Sequence, residues 1–293
     1  MRTEKEMFGL ILNVARNDDR IRAVYMNGSR ANPNVPKDIF QDYDIVYAVK
    51  ETATFLQDNN WIRVFGEMLM VQQPDQLDKV IGLNVDYERS YAYLMLFTDG
   101  NRIDLRLLSL DALPGEYGKD KLTIPLLDKN HILPPISAPI DSDYYIQKPT
   151  KGEFDSCTSD FWWCLQNVAK GIWRDELPYA KLMFEQSTRN CLDKMVNWWI
   201  GTEEDFQVSS GKMGKYFKNY LPEQYWKMYK ETYSNAEYEQ MWNSIFVACE
   251  LFRTLSQHVA SKFDFSYPDK DDRNMTAFLQ HIKELPIDAK EIY

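Results

Sequence analysis

Three carboxylates in the first half of the sequence have a spacing that could hold a metal ion. Asp42 and Asp44 are separated by one residue in the run "QDYDIVYAV", and Asp104 lies in a second apolar run, "RIDLRLL". Alternate residues of a strand share one face, so Asp42 and Asp44 would point the same way, and Asp104 would stand beside them if the strands are neighbours. Repulsion between adjacent carboxylates raises at least one pKa unless a cation lies between them. Such oxygen ligands suit Mg²⁺ together with substrate phosphates.

A Gly-Ser pair comes shortly before the first two aspartates. Gly28 and Ser29 directly follow the apolar run "AVYMN". Glycine lets a backbone approach a phosphate closely, and serine offers a hydroxyl and an N–H where a turn or helix opens. We therefore interpret the two features together as a cleft that binds phosphates on the turn and a metal ion on the aspartates.

Each feature has an ordinary structural explanation when it stands alone. Most Gly-Ser pairs are simple turns, and Asp-x-Asp is common on solvated edge strands. Asp104 shares its predicted strand face with Arg102 and Arg106 and could form an ion pair with them. The metal-site hypothesis therefore depends on all of these features meeting in one place.

The elements that must position these residues form an α/β pattern in the first half of the chain. Residues 3–17 carry apolar positions at the spacing of an amphipathic helix. Short runs rich in β-branched and aromatic residues predict strands at residues 24–26, 45–49, 61–65, 69–72, 91–97 and 102–108. Asp99-Gly100, between the last two runs, predicts a hairpin turn because this turn requires positive φ.

The second half of the chain follows a helical pattern. From about residue 153, apolar residues recur every three or four positions in three long segments, and Gly201 stands where a helix C-cap is expected. Prolines concentrate in residues 113–149, which predicts an extended crossover without regular structure. We expect an α+β fold with a mixed sheet and covering helices in residues 1–135, a Pro-rich crossover in residues 136–152 and an α-helical bundle in residues 153–293.

Charge and composition exclude several classes of partner. The chain has 34 Lys and Arg against 44 Asp and Glu, a formal net charge of −10, which repels nucleic-acid phosphates. No apolar stretch approaches the ~20 residues that span a bilayer, so we expect no membrane partner. The cysteines lack C-x-x-C spacing, and the start "MRTEKEM" lacks the apolar core of a signal peptide. We expect reduced thiols in a cytoplasmic protein.

The motifs taken in order resemble a known family. Gly28-Ser29, Asp42-Tyr43-Asp44 and the later Asp104 resemble the pattern of the polymerase-β-like nucleotidyltransferase superfamily. Within it, the segments "MNGSRANPN", "QDYDIVY", "FGEMLMVQQP", "LFTDGNRIDLRLL" and "DFWWCLQNVAKGIWRDELPYAK" resemble the aminoglycoside 6-adenylyltransferases. The resemblance covers nearly the whole chain, and the motif positions show no departure from it.

This resemblance implies an activity and a role for each carboxylate. It implies Mg²⁺-dependent transfer of AMP from ATP to the 6-hydroxyl of streptomycin, with release of pyrophosphate, as an antibiotic resistance function. Asp42 and Asp44 would hold Mg²⁺, and Asp104 would serve as general base and as a third metal ligand. Residues 1–135 would form the catalytic nucleotidyltransferase domain, and residues 153–293 a helical domain that binds substrate and nucleotide.

Further residues are candidates for nucleotide and substrate contacts. The expected nucleotide-binding residues are Gly28, Ser29, Arg30 and Lys170. The expected substrate-binding residues are Glu67, Trp162, Trp163 and Trp173. Lys170, Glu67 and the three tryptophans also have ordinary structural explanations. Lys170 could extend from a helix face into solvent, and Glu67 could be a surface charge of a hairpin. Tryptophans at helical spacing are often core residues.

The expected partners are ATP and a cationic aminoglycoside, bound by a monomer or a weak homodimer. Streptomycin carries guanidinium groups, so its charge is opposite to that of the protein. Two rival functions stay open. One is a nucleotidyltransferase that modifies the hydroxyl of another small molecule. The other is a nucleotidyltransferase-like binding module without catalysis, against which the three repelling carboxylates argue, since mere binding does not need them.

Overall fold

The chain folds into two compact units. A computed structural model describes residues 1–58 and 60–293 and separates Met1–Asp143 from Tyr144–Tyr293. The first unit contains a six-stranded mixed sheet with helices and the second is helical, which confirms the predicted α+β class. Within the described residues, every helix is too short or too polar to cross a bilayer.

The first unit is built on one sheet. Its strands are β1 (Ile21–Met26), β2 (Tyr43–Val49), β3 (Met68–Gln72), β4 (Ser90–Phe97), β5 (Arg102–Ser109) and β6 (Ile124–Asp128). Its helices are α1 (Glu4–Asn17), α2 (Ala53–Leu56) and α3 (Pro74–Val80). The strands lie in the order β3-β4-β5-β2-β1-β6, with β2 and β5 parallel and the other neighbouring pairs antiparallel.

Helix α1 covers one face of the sheet. It begins at a capping box, in which the Thr3 hydroxyl accepts from the Glu6 N–H and the Glu6 carboxylate accepts from the Thr3 N–H. Its buried residues, at four-residue spacing, are Met7, Ile11 and Ala15. The Tyr47 hydroxyl of β2 donates to the Ile11 carbonyl at 2.6 Å. Because strand residues alternate, Asp44 lies on the opposite face of the sheet.

The hairpin predicted between the last two strands is confirmed. β4 and β5 pair in antiparallel register, Gly100 has a φ of +84°, and the Phe97 N–H donates to the Asn101 carbonyl at 2.9 Å. The carboxylate of Asp99 in this turn forms an ion pair with Arg2 at 2.7 Å. The turn therefore fixes the point at which β5, with Asp104, begins.

The prediction of a strand at residues 61–65 is wrong. Trp61–Phe65 is a 3₁₀-helix, in which side chains three residues apart lie on one side. Ile62 and Phe65 are accordingly both buried, and the Trp61 ring packs edge-on against Phe55 and Tyr93. A run of aromatic and β-branched residues is compatible with either structure, and the tertiary packing decided between them.

The prediction of a crossover without regular structure at residues 113–149 is also wrong in part. Residues Ile124–Asp128 form β6, which pairs with β1. β6 is an edge strand, where a proline is tolerated because one side of the strand needs no donors. Pro125 pairs with Tyr25, next to the shift in register between Val24 and Tyr25.

The second unit is helical throughout, as predicted. Its helices are α4 (Lys151–Trp173), α5 (Leu177–Leu182), α6 (Arg189–Glu203), α7 (Phe217–Tyr220), α8 (Glu223–Glu231), α9 (Tyr238–Phe263) and α10 (Asp269–Glu284). A π-helical turn, Met183–Thr188, joins α5 to α6. The Phe161 ring of α4 stacks on the Phe252 ring of α9 at 3.7 Å in the core. The four cysteines are free thiols.

Gly201 is not the helix cap that the sequence predicted. It lies inside α6, and Glu204 is the C-cap residue. A Cβ at residue 201 would lie 2.4 Å from the Phe206 ring. The glycine therefore permits close packing of this ring on the helix, and the chain turns later than the pattern indicated.

A buried ion pair joins α9 to α10. Asp272, 4% exposed, accepts from Arg253 Nε at 2.5 Å and Nη2 at 2.6 Å. The Tyr267 hydroxyl donates at 2.8 Å and the Thr276 hydroxyl at 3.1 Å. Burial by itself would raise the pKa of Asp272, but the hydrogen bonds and the charge of Arg253 outweigh it, and the pKa is lowered. This carboxylate is therefore fully partnered.

Candidate active site

Three carboxylates meet on the sheet face opposite α1. Asp44 of β2 lies directly beside Asp104 of β5 in the parallel register, and Asp42 immediately precedes β2. One oxygen from each of the three lies within 4.8 Å of the others. We call Asp42, Asp44 and Asp104 the carboxylate cluster. Strand alternation and the pairing of β2 with β5 together bring these residues to one place.

Of the three carboxylates in the cluster, Asp44 has the surroundings that disfavour its negative charge most. Among the residues that the structure describes, none donates a hydrogen bond to its side chain. Burial, followed by the charges of Asp42 and Asp104, raises the pKa of Asp44 to about 7. A carboxylate with these surroundings destabilises the protein at neutral pH unless a cation or a proton joins it.

Gly28 packs directly against Asp44. A Cβ at residue 28 would lie 1.9 Å from Asp44 Oδ2, and the φ of +77° is one that glycine adopts readily. The preceding Asn27 N–H donates to the Asp44 carbonyl at 2.9 Å. Ser29 then begins the 3₁₀ turn Ser29–Ala31, whose first hydrogen bond comes from the Ala31 N–H. The Gly-Ser turn therefore lies at the carboxylate cluster.

Arg30 has contacts that the sequence did not indicate. Its guanidinium donates to the carbonyls of Asp42 at 2.9 Å and Gln41 at 2.7 Å, and it stacks 3.8 Å over the Tyr43 ring. The side chain is 7% exposed. Arg30 therefore positions the segment that carries Asp42, and its predicted contact with a triphosphate would require these bonds to break.

One of the two arginines that flank Asp104 joins the cluster. Arg102 donates to both oxygens of Asp104, at 2.7 Å and 2.6 Å, and its Nε lies 3.9 Å from Asp42 Oδ2. Arg106 pairs with Glu116 at 3.2 Å instead. Asp104 therefore forms the ion pair that the sequence offered as an alternative, and it does so inside the cluster. The signal was the two-residue spacing between Arg102 and Asp104, which puts both on one strand face.

Sequence reasoning missed two neighbours of the cluster. The charge of Asp120 contributes to the raised pKa of Asp44, after burial, Asp42 and Asp104. The buried Thr123 hydroxyl shares its proton between the Asn27 side-chain oxygen at 2.9 Å and the Asp120 carbonyl at 2.7 Å. This network ties residues 120–123 to the turn before Gly28. No motif or spacing in the sequence marks Asp120 or Thr123.

Glu67 is not brought to the carboxylate cluster. It is exposed and precedes β3, which is two strands away from β5. Met68 pairs with Phe97, whereas Asp104 pairs with Leu94. Glu67 is therefore separated from β5 by the intervening strand β4. Its predicted contact with substrate stays a prediction.

Trp162 lies in the helical core, and its predicted contact with substrate stays a prediction. It is 2% exposed, and its ring meets Phe161 and Phe252 edge-on. A ligand cannot reach it without unpacking the helical core. The reason is its place on the inner face of α4, where the apolar spacing of the helix continues.

The remaining candidates in the second unit are accessible. Trp163 is 67% exposed. Trp173 is partly buried and donates to the Leu285 carbonyl at 3.2 Å. Lys170 is partly buried and donates to Asn167 Oδ1 at 2.9 Å. Their predicted roles toward substrate and nucleotide stay predictions.

The carboxylate cluster has the donor chemistry of a divalent-cation site. All its donors are carboxylate oxygens, which hard cations such as Mg²⁺ prefer. The described residues donate no hydrogen bond to the Asp44 side chain, so a cation would relieve the cost of its charge. The fit of these residues to a metal ion therefore rests on both the ligand type and the electrostatics of the site.

Comparisons with known proteins agree with the motifs. A family model described as streptomycin adenylyltransferase matches residues 1–282. The aminoglycoside 6-adenylyltransferase of Campylobacter jejuni is 39% identical over 98% of this chain and 99% of its own length. The aminoglycoside 6-adenylyltransferase of Bacillus subtilis (strain 168) is 36% identical over 93% of this chain and 95% of its own length.

A solved structure is also similar to this chain. A crystal structure of an aminoglycoside 6-adenyltransferase from Bacillus subtilis covers 97% of this chain and 100% of its own, with 31% identity and a TM-score of 0.48. The family model and the curated relatives confirm the resemblance found in the sequence. The chain is therefore an enzyme and belongs to the streptomycin adenylyltransferase family.

Proposed function

We propose that this enzyme transfers AMP from ATP to the 6-hydroxyl of streptomycin, releases pyrophosphate and depends on Mg²⁺, thereby conferring aminoglycoside resistance. The observation that carries the proposal is the carboxylate cluster beside the Gly-Ser turn, in a chain of this family. Phosphoryl transfer needs positioning and charge stabilisation more than covalent chemistry, and these are what the cluster and the turn supply.

Asp42 and Asp44 are the proposed metal ligands, with Asp104 as a third. Their oxygens converge within 4.8 Å, and Asp44 has no competing donor in the described residues. Mg²⁺ held by these carboxylates would offset the charge on the phosphate oxygens and on the leaving pyrophosphate. Gly28 and Ser29 would bind the phosphates through the close backbone, the hydroxyl and the N–H.

In the proposed reaction the acceptor hydroxyl oxygen attacks the α-phosphorus of ATP. The new O–P bond forms as the bond to the bridging oxygen of pyrophosphate breaks, and the electron pair leaves with pyrophosphate. Asp104 accepts the hydroxyl proton as general base.

Charge supports a cationic acceptor. The chain carries a formal charge of −10, and the guanidinium groups of streptomycin are positive, so the protein field attracts the substrate. Trp163 and Trp173 can offer aromatic faces to such groups. Lys170 is the proposed phosphate contact of the helical unit, and Glu67 is a further candidate for the acceptor.

The test is pyrophosphate release from Mg²⁺ and ATP across a panel of acceptors, with mass spectrometry of the product. We expect release with streptomycin, one adenylyl group on its 6-hydroxyl, and no release with lincomycin. Release only with another acceptor would favour the rival nucleotidyltransferase. Nucleotide binding without release for any acceptor would favour the binding module.

A further inference from the structure

The guanidinium of Arg102 occupies the carboxylate cluster. Arg102 begins β5, two residues before Asp104 and on the same face of the sheet. Its Nε and Nη2 donate to the two oxygens of Asp104 at 2.7 Å and 2.6 Å. The same Nε lies 3.9 Å from Asp42 Oδ2. One guanidinium therefore contacts two of the three proposed metal ligands.

The other nearby arginines do not share this position. Arg106 lies farther along the same face of β5 and pairs with Glu116 at 3.2 Å. Arg30 donates to the backbone carbonyls of Gln41 and Asp42 and is 7% exposed. In the part of the chain that the structure describes, Arg102 is the cation paired with cluster carboxylates.

A guanidinium in this position opposes a divalent cation in two ways. It uses an acceptor site on each oxygen of Asp104, and its positive charge repels a second positive charge a few ångströms away. Its side chain is 45% exposed, so it can leave the cluster without unpacking the core. Nucleotide phosphates bring negative charge that offsets the repulsion.

We propose that Arg102 is a built-in counter-ion of the carboxylate cluster, and that it keeps the divalent-cation affinity of the nucleotide-free enzyme low. The cation must displace Arg102 from Asp104, so it binds well only together with the nucleotide. This inference rests on one part of the proposed function, namely that the carboxylate cluster is the metal site. It makes Arg102 a residue that regulates metal loading.

The experiment is a Mn²⁺ titration of the nucleotide-free enzyme, with free Mn²⁺ followed by electron paramagnetic resonance. We expect Arg102→Gln to bind Mn²⁺ about tenfold more tightly than the wild type, which is about 1.4 kcal/mol. Arg102→Lys keeps the charge and is expected to stay near the wild type. The matched control, Arg106→Gln, removes the same charge from the same strand face and should leave the affinity unchanged, because Arg106 pairs with Glu116.

The direction of the change separates this role from a purely structural one. A residue that only supports the site would weaken Mn²⁺ binding when removed, whereas a counter-ion strengthens it. Unchanged or weaker binding by a folded Arg102→Gln overturns the proposal, as does equal tightening by Arg106→Gln. Should Arg102→Gln fail to fold, a substantial tightening by Arg102→Lys would overturn it instead, and wild-type affinity in that variant would support it.

Asp44→Asn distinguishes failure of this inference from failure of the proposed function. If Asp44→Asn loses Mn²⁺ binding but Arg102→Gln does not gain it, only the role of Arg102 is wrong. If Asp44→Asn binds Mn²⁺ as the wild type does, the metal site lies elsewhere. Both the proposed metal ligands and the inference about Arg102 then fail.

Discussion

Asp44 in the sheet and Asp272 in the helical unit are both largely removed from water, but their surroundings are opposite. Asp272 accepts two hydrogen bonds from Arg253 and one each from Tyr267 and Thr276, and its pKa is lowered despite burial. Asp44 has no donor among the described residues, and burial and neighbouring carboxylates raise its pKa to about 7. Only Asp272 has the partners that a structural carboxylate needs.

The two carboxylates differ in whether partners compensate for the loss of solvation. A buried charge is expensive unless it is paired and hydrogen-bonded. Asp272 meets that condition and links α9 to α10. Asp44 does not meet it, and Gly28 packs against it so closely that no other residue fits there. The charge of Arg102 offsets the cost only in part, and carboxylates placed in this way are characteristic of functional sites.

Asp42→Asn gives the largest effect that this comparison predicts. We expect AMP transfer to be lost, because one proposed metal ligand is removed, while the fold stays intact, because repulsion within the cluster decreases. Steady-state pyrophosphate release and circular dichroism on one preparation measure both. Near-normal turnover at ordinary Mg²⁺ concentration would remove Asp42 from the metal site.

Asp104→Asn should lower kcat by about 10²–10⁴-fold, the usual contribution of a general base, with Mg·ATP still bound. Asp42 and Asp44 remain as ligands, so nucleotide affinity should change little. If Mg·ATP affinity falls in proportion to activity instead, Asp104 acts first as a metal ligand.

Asp272→Asn should lower stability and leave activity unchanged, whereas the cluster variants should lose activity and keep their fold. It leaves Arg253 without its charge partner, so we expect a loss of about 2 kcal/mol in the free energy of unfolding, while folded molecules keep their activity. Urea denaturation measures the loss. Its pH dependence checks the cause: the lowered pKa means that the stabilisation is present above the unfolded pKa of about 3.9 and is lost as pH falls through the native value. A variant as stable as the wild type would show that the pair contributes nothing.

The smallest predicted effect concerns the charge of the whole chain. If the formal charge of −10 steers a cationic acceptor, kcat/KM for streptomycin should fall several-fold as salt is raised from low to about 0.5 M. kcat at saturating substrate should change less, since steering acts on encounter. A kcat/KM that is indifferent to ionic strength would mean that the charge only keeps the protein dissolved.

Local patterns were sufficient to predict the members of the cluster. The alternation around Asp44 and the positive-φ turn at Gly100 depend on residues close in sequence, and both are found as expected. The parallel pairing that sets Asp44 beside Asp104 depends on residues far apart in the chain. The sequence showed that such strands could be neighbours, but not that they were.

Packing decided what the local pattern left open. Trp162 and Trp163 are adjacent on α4 and differ by about 100° around the helix axis, so one is 2% exposed and the other 67%. Likewise, two arginines flank Asp104 at equal spacing, and only the tertiary position of Glu116 draws Arg106 away.

We infer that Asp44 is kept for function at a cost in stability. The most direct test compares wild type with Asp44→Asn without metal, by the free energy of unfolding from pH 4 to pH 8, together with AMP transfer. The raised pKa of about 7 means that the native state holds its proton where the unfolded state has lost it. Wild-type stability should therefore fall relative to the variant as pH rises from about 4 to 7, while the variant transfers no AMP. A constant difference, a difference of opposite sign or retained transfer would contradict the claim.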